Sequence, residues 1–475
     1  MDNTPIHDHS PLVMEGTGVA TVCALATAPG GALGVIRVSG PDAFPVVSAL
    51  CTVCCDKVAA NTVHYTRIIP HPPYGEGRGE ALDEVLITVF RAPHSYTGED
   101  CVEISCHGSS YILNKVLELL VQQGCRMARP GEFTMRAYLN GKLDLSQAEA
   151  VADLIASTNR ATHDMAMSQL RGGISSELKR LRDQLLKLTS LLELELDFSD
   201  HEDLEFANRT ELLGLAQSIH SHISRLSHTF EIGQALKQGI PVAIVGKTNV
   251  GKSTLLNALL RDDRAIVSDI HGTTRDTIED TIAIQGVTFR FIDTAGIRQT
   301  TDEVEQIGIR RTYAAIDKAR IVLWLFDEAP SPAEFQDMQT RCKNKSLLVI
   351  RNKIDLQPSS ASSVCCDSIA APIPVSAKQG QGLEALEAAI YKAANIPSLS
   401  DTDVIVTSSR HYESLIHAQE NLSRVIESLQ MQLSGDLIAE DLRLVLSDLA
   451  EITGEGQITP QETLNNIFSH FCVGK

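Results

Sequence analysis

Residues 246–254 read GKTNVGKST, directly after the apolar run Ile240–Val245 and directly before Leu255–Leu260. A strand that feeds a glycine-rich turn and then a helix is the setting of the phosphate-binding loop G-x-x-x-x-G-K-S. Glycine lets backbone N–H groups turn inward and cradle phosphate oxygens at a helix N-terminus. Lys252 supplies a point charge to the β- and γ-phosphates, and the Ser253 hydroxyl is placed to ligate Mg2+. This segment commits its surroundings to a parallel α/β sheet that holds a nucleotide at its edge.

The chain downstream narrows the nucleotide to GTP. Residues 291–296 read FIDTAG, an apolar strand end that delivers Asp293 towards the outer ligands of Mg2+ and Gly296 N–H towards the γ-phosphate. Residues 346–355 read SLLVIRNKID, a buried-type strand that ends in Asn352, Lys353 and Asp355. A carboxylate at Asp355 accepts two hydrogen bonds from guanine, whereas adenine offers no such pair and would leave the carboxylate unsatisfied. Residues 373–378, IPVSAK, form another strand and a loop that can touch the guanine oxygen.

At 475 residues the chain has the length of about three domains. Its hydrophobic content of 43% is ample for folded cores. Runs such as Ile321–Phe326 are far too short to span a membrane. The opening MDNTPIHDHSP is unlike a secretory or transit signal, so a soluble cytoplasmic protein is expected. Eleven cysteines are spread along the chain, and the Cys51, Cys54, Cys55 cluster has no second C-x-x-C pair to complete a zinc site. A net charge of −19 argues against non-specific nucleic-acid binding by the whole molecule. An RNA partner then requires a local basic patch or a second, more basic protein.

The expected fold is multi-domain α/β. Residues 1–125 mix short apolar runs with glycine and proline and read as an α+β domain. Residues 126–236 read as the first part of a helical domain, in which Leu178, Leu181, Leu185, Leu188 and Leu192 form an amphipathic stripe. Residues 237–397 alternate strands and helices in the manner of a Ras-like G domain. Residues 398–475 are helical again, and Leu422, Val425, Ile426, Leu429 and Leu433 mark one apolar face. The simplest arrangement inserts the P-loop GTPase domain into a helical domain, preceded by the α+β domain.

Several segments together resemble the MnmE (TrmE) family of tRNA modification GTPases. They are ATAPGGALGVIRVSG (26–40), HSYTGEDCVEISCHG (94–108), ARPGEFTMRAYLNGKLDLSQAEAVADLI (128–155), HGTTRD (271–276), DTAGIRQTTDEVEQIGI (293–309) and the terminal FCVGK (471–475). The resemblance covers essentially the whole chain. It implies a K+-activated GTPase that works with an FAD-dependent MnmG-type partner in a heterotetramer. Together they install an aminomethyl or carboxymethylaminomethyl group on C5 of the wobble uridine of certain tRNAs. It also implies that the N-terminal domain binds a one-carbon folate, 5,10-methylenetetrahydrofolate or its 5-formyl analogue, and forms a homodimer. A ribosome-assembly GTPase, which shares the GTTRD and DTAG elements, is the alternative.

Site residues follow from the resemblance position by position. The GTP contacts are Asn249, Val250, Gly251, Lys252, Ser253 and Thr254, then Ser268, Asp269, Ile270, His271, Gly272, Thr273 and Thr274. They continue with Asp293, Thr294, Ala295, Gly296, Asn352, Lys353, Ile354, Asp355, Ser376, Ala377 and Lys378. Asn249, Ser268, Ile270 and Thr273 match the potassium site, and Ser253 with Thr274 the Mg2+ ligands. Arg37, Glu103, Lys142 and Lys475 match positions lining the folate site. Glu305 matches the glutamate that orients the attacking water; it, Lys252 and Cys472 are the catalytic candidates, Cys472 without an assigned step. The residues alone agree on one point. Ras-type GTPases orient water with a glutamine directly after DTAG, and here that position is Ile297. Another group must position the nucleophile, and a cation at Asn249 can supply positive charge to the β/γ bridge.

Overall fold

The structure is a computed structural model. It describes residues 20–70, 80–197, 209–261, 280–292, 313–356, 371–396, 404–454 and 461–469, with 471 and 474. The chain divides into two compact units, one running to Ala152 and resuming at Thr453, the other Asp153–Ile452.

The first unit is built on a six-stranded sheet. Its elements are β1 (Val22–Leu25), β2 (Leu33–Ser39), α1 (Ala43–Leu50), β3 (Thr62–Ile68), β4 (Asp83–Phe90), β5 (Cys101–His107), α2 (Ser110–Gln122), β6 (Arg126–Met127), α3 (Glu132–Leu139) and α4 (Leu145–Ala156). The strand order is β3-β4-β5-β2-β1-β6. All neighbours are antiparallel except β1 and β6, so the sheet continues beyond residue 125. β4 shows why the sheet has one covered face: Val85, Ile87 and Val89 are buried while Glu84 and Leu86 are exposed, the period-2 pattern of a strand. The covered face packs on Val47 and Leu50 of α1 and on Leu113, Val116 and Leu120 of α2.

The second unit begins with helices α5 (Arg160–Leu170), α6 (Gly173–Asp197) and α7 (Arg209–Gln238). A second sheet follows: β7 (Ile240–Gly246), α8 (Lys252–Arg261), β8 (Asp280–Ile284), β9 (Val287–Phe291), β10 (Ile321–Phe326), α9 (Pro332–Arg341), β11 (Ser346–Arg351), β12 (Ile373–Pro374) and α10 (Leu383–Ala393). Helices α11 (Ser409–Gln430) and α12 (Gly435–Thr453) complete the unit. The strand order is β12-β11-β10-β7-β9-β8, parallel throughout except for the β8–β9 hairpin. β10 reads IVLWLF and is buried at every position. Its alternate residues enter two cores, Ile321, Leu323 and Leu325 on one face and Val322, Trp324 and Phe326 on the other. That is the environment of a central parallel strand covered on both sides.

The leucine stripe of α6 is fully committed to packing: Leu178, Leu181, Leu185, Leu188 and Leu192 share one core with α7, α11 and α12. Leu422, Val425 and Leu429 of α11 join it, and Ile426 is partly buried against it. Leu433 does not follow this face and is 38% exposed. The helix ends at Gln430 and Gln432 takes φ 58°, so the 3.6-residue phase is lost before Leu433. No helix among the described residues is long and apolar enough to cross a membrane.

The first unit closes with α13 (Gln461–Ser469). Leu464, Phe468 and Phe471 are buried against Leu145, Ala148, Met135 and Tyr138, so the end of the chain is anchored by aromatic packing.

Candidate nucleotide-binding site

Four neighbouring parallel strands, β12, β11, β10 and β7, end on the same edge of the second sheet. The segments that follow them are 376–378, 352–355, Asp327 and 246–254 in the same order. Ligands of open parallel sheets bind beyond the carboxyl ends of the strands, where loops and helix N-termini converge.

The loop between β7 and α8 has the backbone that phosphate binding needs. Gly246 (φ 154°) and Gly251 (φ 96°) sit where a β-carbon would lie 2.4 Å from Leu325 O and 2.4 Å from Asn352 Nδ2 respectively. Asn249, between them, takes the left-handed φ of 64°. Asparagine tolerates that region better than most residues. Lys252 opens α8, and its Nζ donates to Gly246 O at 2.8 Å and Lys247 O at 2.7 Å. The lysine therefore lies along the loop it serves, and burial pulls its ammonium below the ordinary lysine range. Ser253 and Thr254 follow on the same first turn.

Asn352 has a role its motif alone did not reveal. Its side chain is buried, donates to Val250 O at 2.8 Å and accepts from Ala377 N at 3.1 Å. One amide thus ties the phosphate loop to the loop after β12. Asp355 lies in a single 3-10 turn, Ile354–Leu356, and accepts from Ser376 Oγ at 2.7 Å. That bond fixes the carboxylate proposed to read the base. Lys353, at φ 59°, donates to Asp327 Oδ2 at 2.8 Å. This hydrogen bond holds the Asp327 carboxyl below its usual range. Ala377 is buried and Lys378 exposed. Sequence reasoning passed over Asp327; the only signal was its place immediately after a fully apolar strand.

The remaining candidates on this side lie outside the described residues. These are Ser268, Asp269, Ile270, His271, Gly272, Thr273, Thr274, Asp293, Thr294, Ala295, Gly296 and Glu305. Of the metal-ligand sets, Ser253 and Asn249 are described. A serine hydroxyl on the first helical turn is a hard oxygen donor of the kind Mg2+ takes, and the Asn249 side chain offers an amide oxygen suited to a larger monovalent cation.

The first unit holds a second cluster. The β2–β5 register sets Arg37 opposite Glu103. Arg37 Nε and Nη2 donate to Glu103 Oε1 at 2.9 and 2.7 Å. The guanidinium carbon lies 5.1 Å from the Tyr96 ring centroid and 5.6 Å from that of Phe133. Lys142 donates instead to Pro93 O at 3.0 Å, on the segment that leads to Tyr96. Behind this cluster Glu132 is buried; burial pushes its pKa up, but Arg126, the Arg129 N–H and Arg136 together hold it below the ordinary value. Gly474 has its backbone against Leu25 and Ala26, and β1 pairs Ala24 with Arg37. The end of the chain therefore reaches the strand pair that carries Arg37. Cys472 and Lys475 lie outside the described residues.

Two family models match the chain, "GTP-binding protein TrmE N-terminus" over residues 21–142 and "MnmE helical domain" over residues 145–472. The tRNA modification GTPase MnmE of Phocaeicola vulgatus is 51% identical over 493 aligned residues, which cover 96% of this chain and 99% of that protein. This chain belongs to the MnmE family. The MnmE proteins of Bacteroides fragilis (51% identical) and Flavobacterium johnsoniae (48%) each match 96% of this chain and 99% of their own length. The family match spans both units of the structure, so the Arg37 cluster and the nucleotide loops are parts of one MnmE-type chain.

Proposed function

We propose that the chain is a K+-activated GTP hydrolase that acts in the cytoplasm in tRNA wobble-uridine modification. With an FAD-dependent MnmG-type partner it installs an aminomethyl or carboxymethylaminomethyl group on C5, drawing the carbon from a one-carbon folate. The observation that carries the nucleotide half is the Ser376–Asp355 bond at the same sheet edge as the phosphate loop, for it presets a carboxylate for a purine with adjacent N–H donors. Family membership supports the tRNA half, and the ribosome-assembly alternative lacks a counterpart to the matched N-terminal model.

In this reading residues 237–397 form a G domain inserted into a helical domain built from α5–α7 before it and α11–α12 after it, while residues 126–152 and 453–475, read from the sequence as helical-domain ends, belong to the first unit. Lys252 moves from the loop carbonyls to the β/γ-phosphate oxygens and stabilises charge that develops in the transition state. Glu305 holds the attacking water. Ser253 and Thr274 would hold Mg2+, and Asn249, Ser268, Ile270 and Thr273 would hold K+; both ions supply positive charge to the phosphates. Arg37, Glu103, Lys142 and Lys475 bind the folate in a homodimer's N-terminal domain, where the aromatic pair Tyr96 and Phe133 keeps the Arg37 guanidinium from turning away.

GTP turnover in KCl and in NaCl at matched ionic strength tests the cation mechanism; equal rates would overturn it. Nucleoside mass spectrometry of wobble uridines from cells lacking the protein tests the pathway. Unmodified C5 positions are expected, and a normal nucleoside profile would exclude the role.

A further inference from the structure

In a chain of net charge −19 the start of α6 is a stretch of opposite character. Between 171 and 187, five basic residues (Arg171, Lys179, Arg180, Arg182 and Lys187) face two acidic ones, Glu177 and Asp183. All five are exposed, the four on α6 because its leucine stripe occupies the buried arc. Helix α7 beside it has no carboxylate from Leu212 to Phe230 but carries His220, His222, His228 and Arg225.

The two helices bring their cations together. Arg180 Nη2 lies 3.0 and 3.1 Å from the two ring nitrogens of His222. Arg225 Nη2 approaches the same ring at 3.2 and 3.4 Å. Glu177 accepts from Arg180 at 3.0 Å and also contacts His222 Nε2. A neutral imidazole has a single acceptor nitrogen and each guanidinium five N–H donors. One carboxylate and one ring cannot satisfy two guanidinium groups, so donors remain over, on a side chain (Arg180) that is 51% exposed. Planar guanidinium donors in surplus at a surface are the recognition chemistry of phosphate oxygens. Lys187 lies two helical turns further along α6, about 10 Å away at 1.5 Å per residue, and extends the same positive strip.

We infer that the α6–α7 surface around Arg180, His222 and Arg225, with Lys187, is the docking site for the RNA phosphate backbone. The inference rests on the tRNA reading above and assigns that reading a surface. It also resolves the conflict between an acidic protein and a polyanionic substrate, because the affinity comes from a local patch and not from the whole molecule.

The test is a titration of labelled tRNA carrying uridine at the wobble position against the full-length protein over a range of KCl. Loss of two phosphate contacts in Arg180→Ala/Arg225→Ala should lower the slope of log K against log salt by about 1.4, at roughly 0.7 per contact. With equal affinities at 1 M salt, the same exponent means about twenty-five-fold weaker binding at about 0.1 M salt. Lys187→Glu, at an exposed position, should weaken binding in the same direction and guards against a folding defect from the double variant. Lys318→Ala/Lys343→Ala removes equal charge from exposed positions elsewhere and should leave both quantities unchanged, as should GTP turnover in every variant. Unchanged tRNA affinity and slope in the Arg180/Arg225 variant, or an equal loss in the control, would overturn the assignment. Displacement of the tRNA by polyglutamate as effective as by RNA would give the patch to an acidic protein and overturn it too. Wobble modification by the wild-type protein in cells lacking it reports separately on the underlying function. Its absence refutes that function, and the salt titration still decides the surface.

Discussion

Asn352→Ala should damage nucleotide binding out of proportion to its size. The side chain spans two loops, donating to Val250 O at 2.8 Å and accepting from Ala377 N at 3.1 Å, in a buried setting. Alanine leaves one carbonyl and one N–H without their partner. Each such group costs about 1–3 kcal/mol when it stays buried. Both loops lie at the open edge of the sheet, where water can reach a relaxed backbone, so about 2–3 kcal/mol in total is the sensible range. At 1.4 kcal/mol per decade this corresponds to about a thirty- to hundredfold rise in Kd. The loss should appear in binding because the phosphate loop and the 376–378 loop are then no longer held in one register before GTP arrives. Asn352→Asp sharpens the test. It keeps an acceptor for Ala377 N–H but sets a carboxylate oxygen against Val250 O in a buried place, and should bind at least as poorly as the alanine variant. Titration of a fluorescent GDP analogue reads both. Affinities within threefold of wild type for both variants would show that the loops are ordered by other means.

Three further outcomes are expected. Glu305→Ala should slow GTP hydrolysis on the order of a hundredfold or more, with GTP affinity nearly intact, because a water-positioning group contributes in the transition state; near-normal single-turnover rates would remove it from the site. Asp355→Asn should move preference from GTP towards XTP, since the amide donates where xanthine accepts, and unchanged discrimination in a competition binding assay would contradict base reading by Asp355. Phe468→Ala, which empties a buried position beneath the chain terminus, should cost about 3–5 kcal/mol locally and impair wobble-uridine modification, while Cys472→Ser should impair modification with GTP turnover preserved. Equal loss of both activities in Cys472→Ser would reduce the tail to a folding element.

The sequence by itself determined the elements whose physics is local. A glycine-lysine-serine turn after Ile240–Val245 has few conformations open to it, and the left-handed Asn249 and the paired glycines follow from that turn. The 3,4-spaced leucines of α6 had to face a core because five leucines on one arc cannot all face water. What the local pattern could not supply was partnership across the chain. Leu433 fits the apolar phase of α11, but a left-handed residue ends that phase one position earlier. Arg37 and Glu103 are 66 residues apart, and only the antiparallel register of β2 on β5 makes them a pair. Asn352 looked like a contact for the base, yet strand order puts Val250, 102 residues away, within reach of its amide. The same holds for the α6–α7 patch: each basic residue was visible in the chain, but their convergence on His222 required two helices to pack through a shared leucine core. Periodicity and steric limits act over a few residues and are written in the sequence. Hydrogen-bond satisfaction and charge balance depend on which distant groups the fold brings within about 3 Å, and only the tertiary structure decides that.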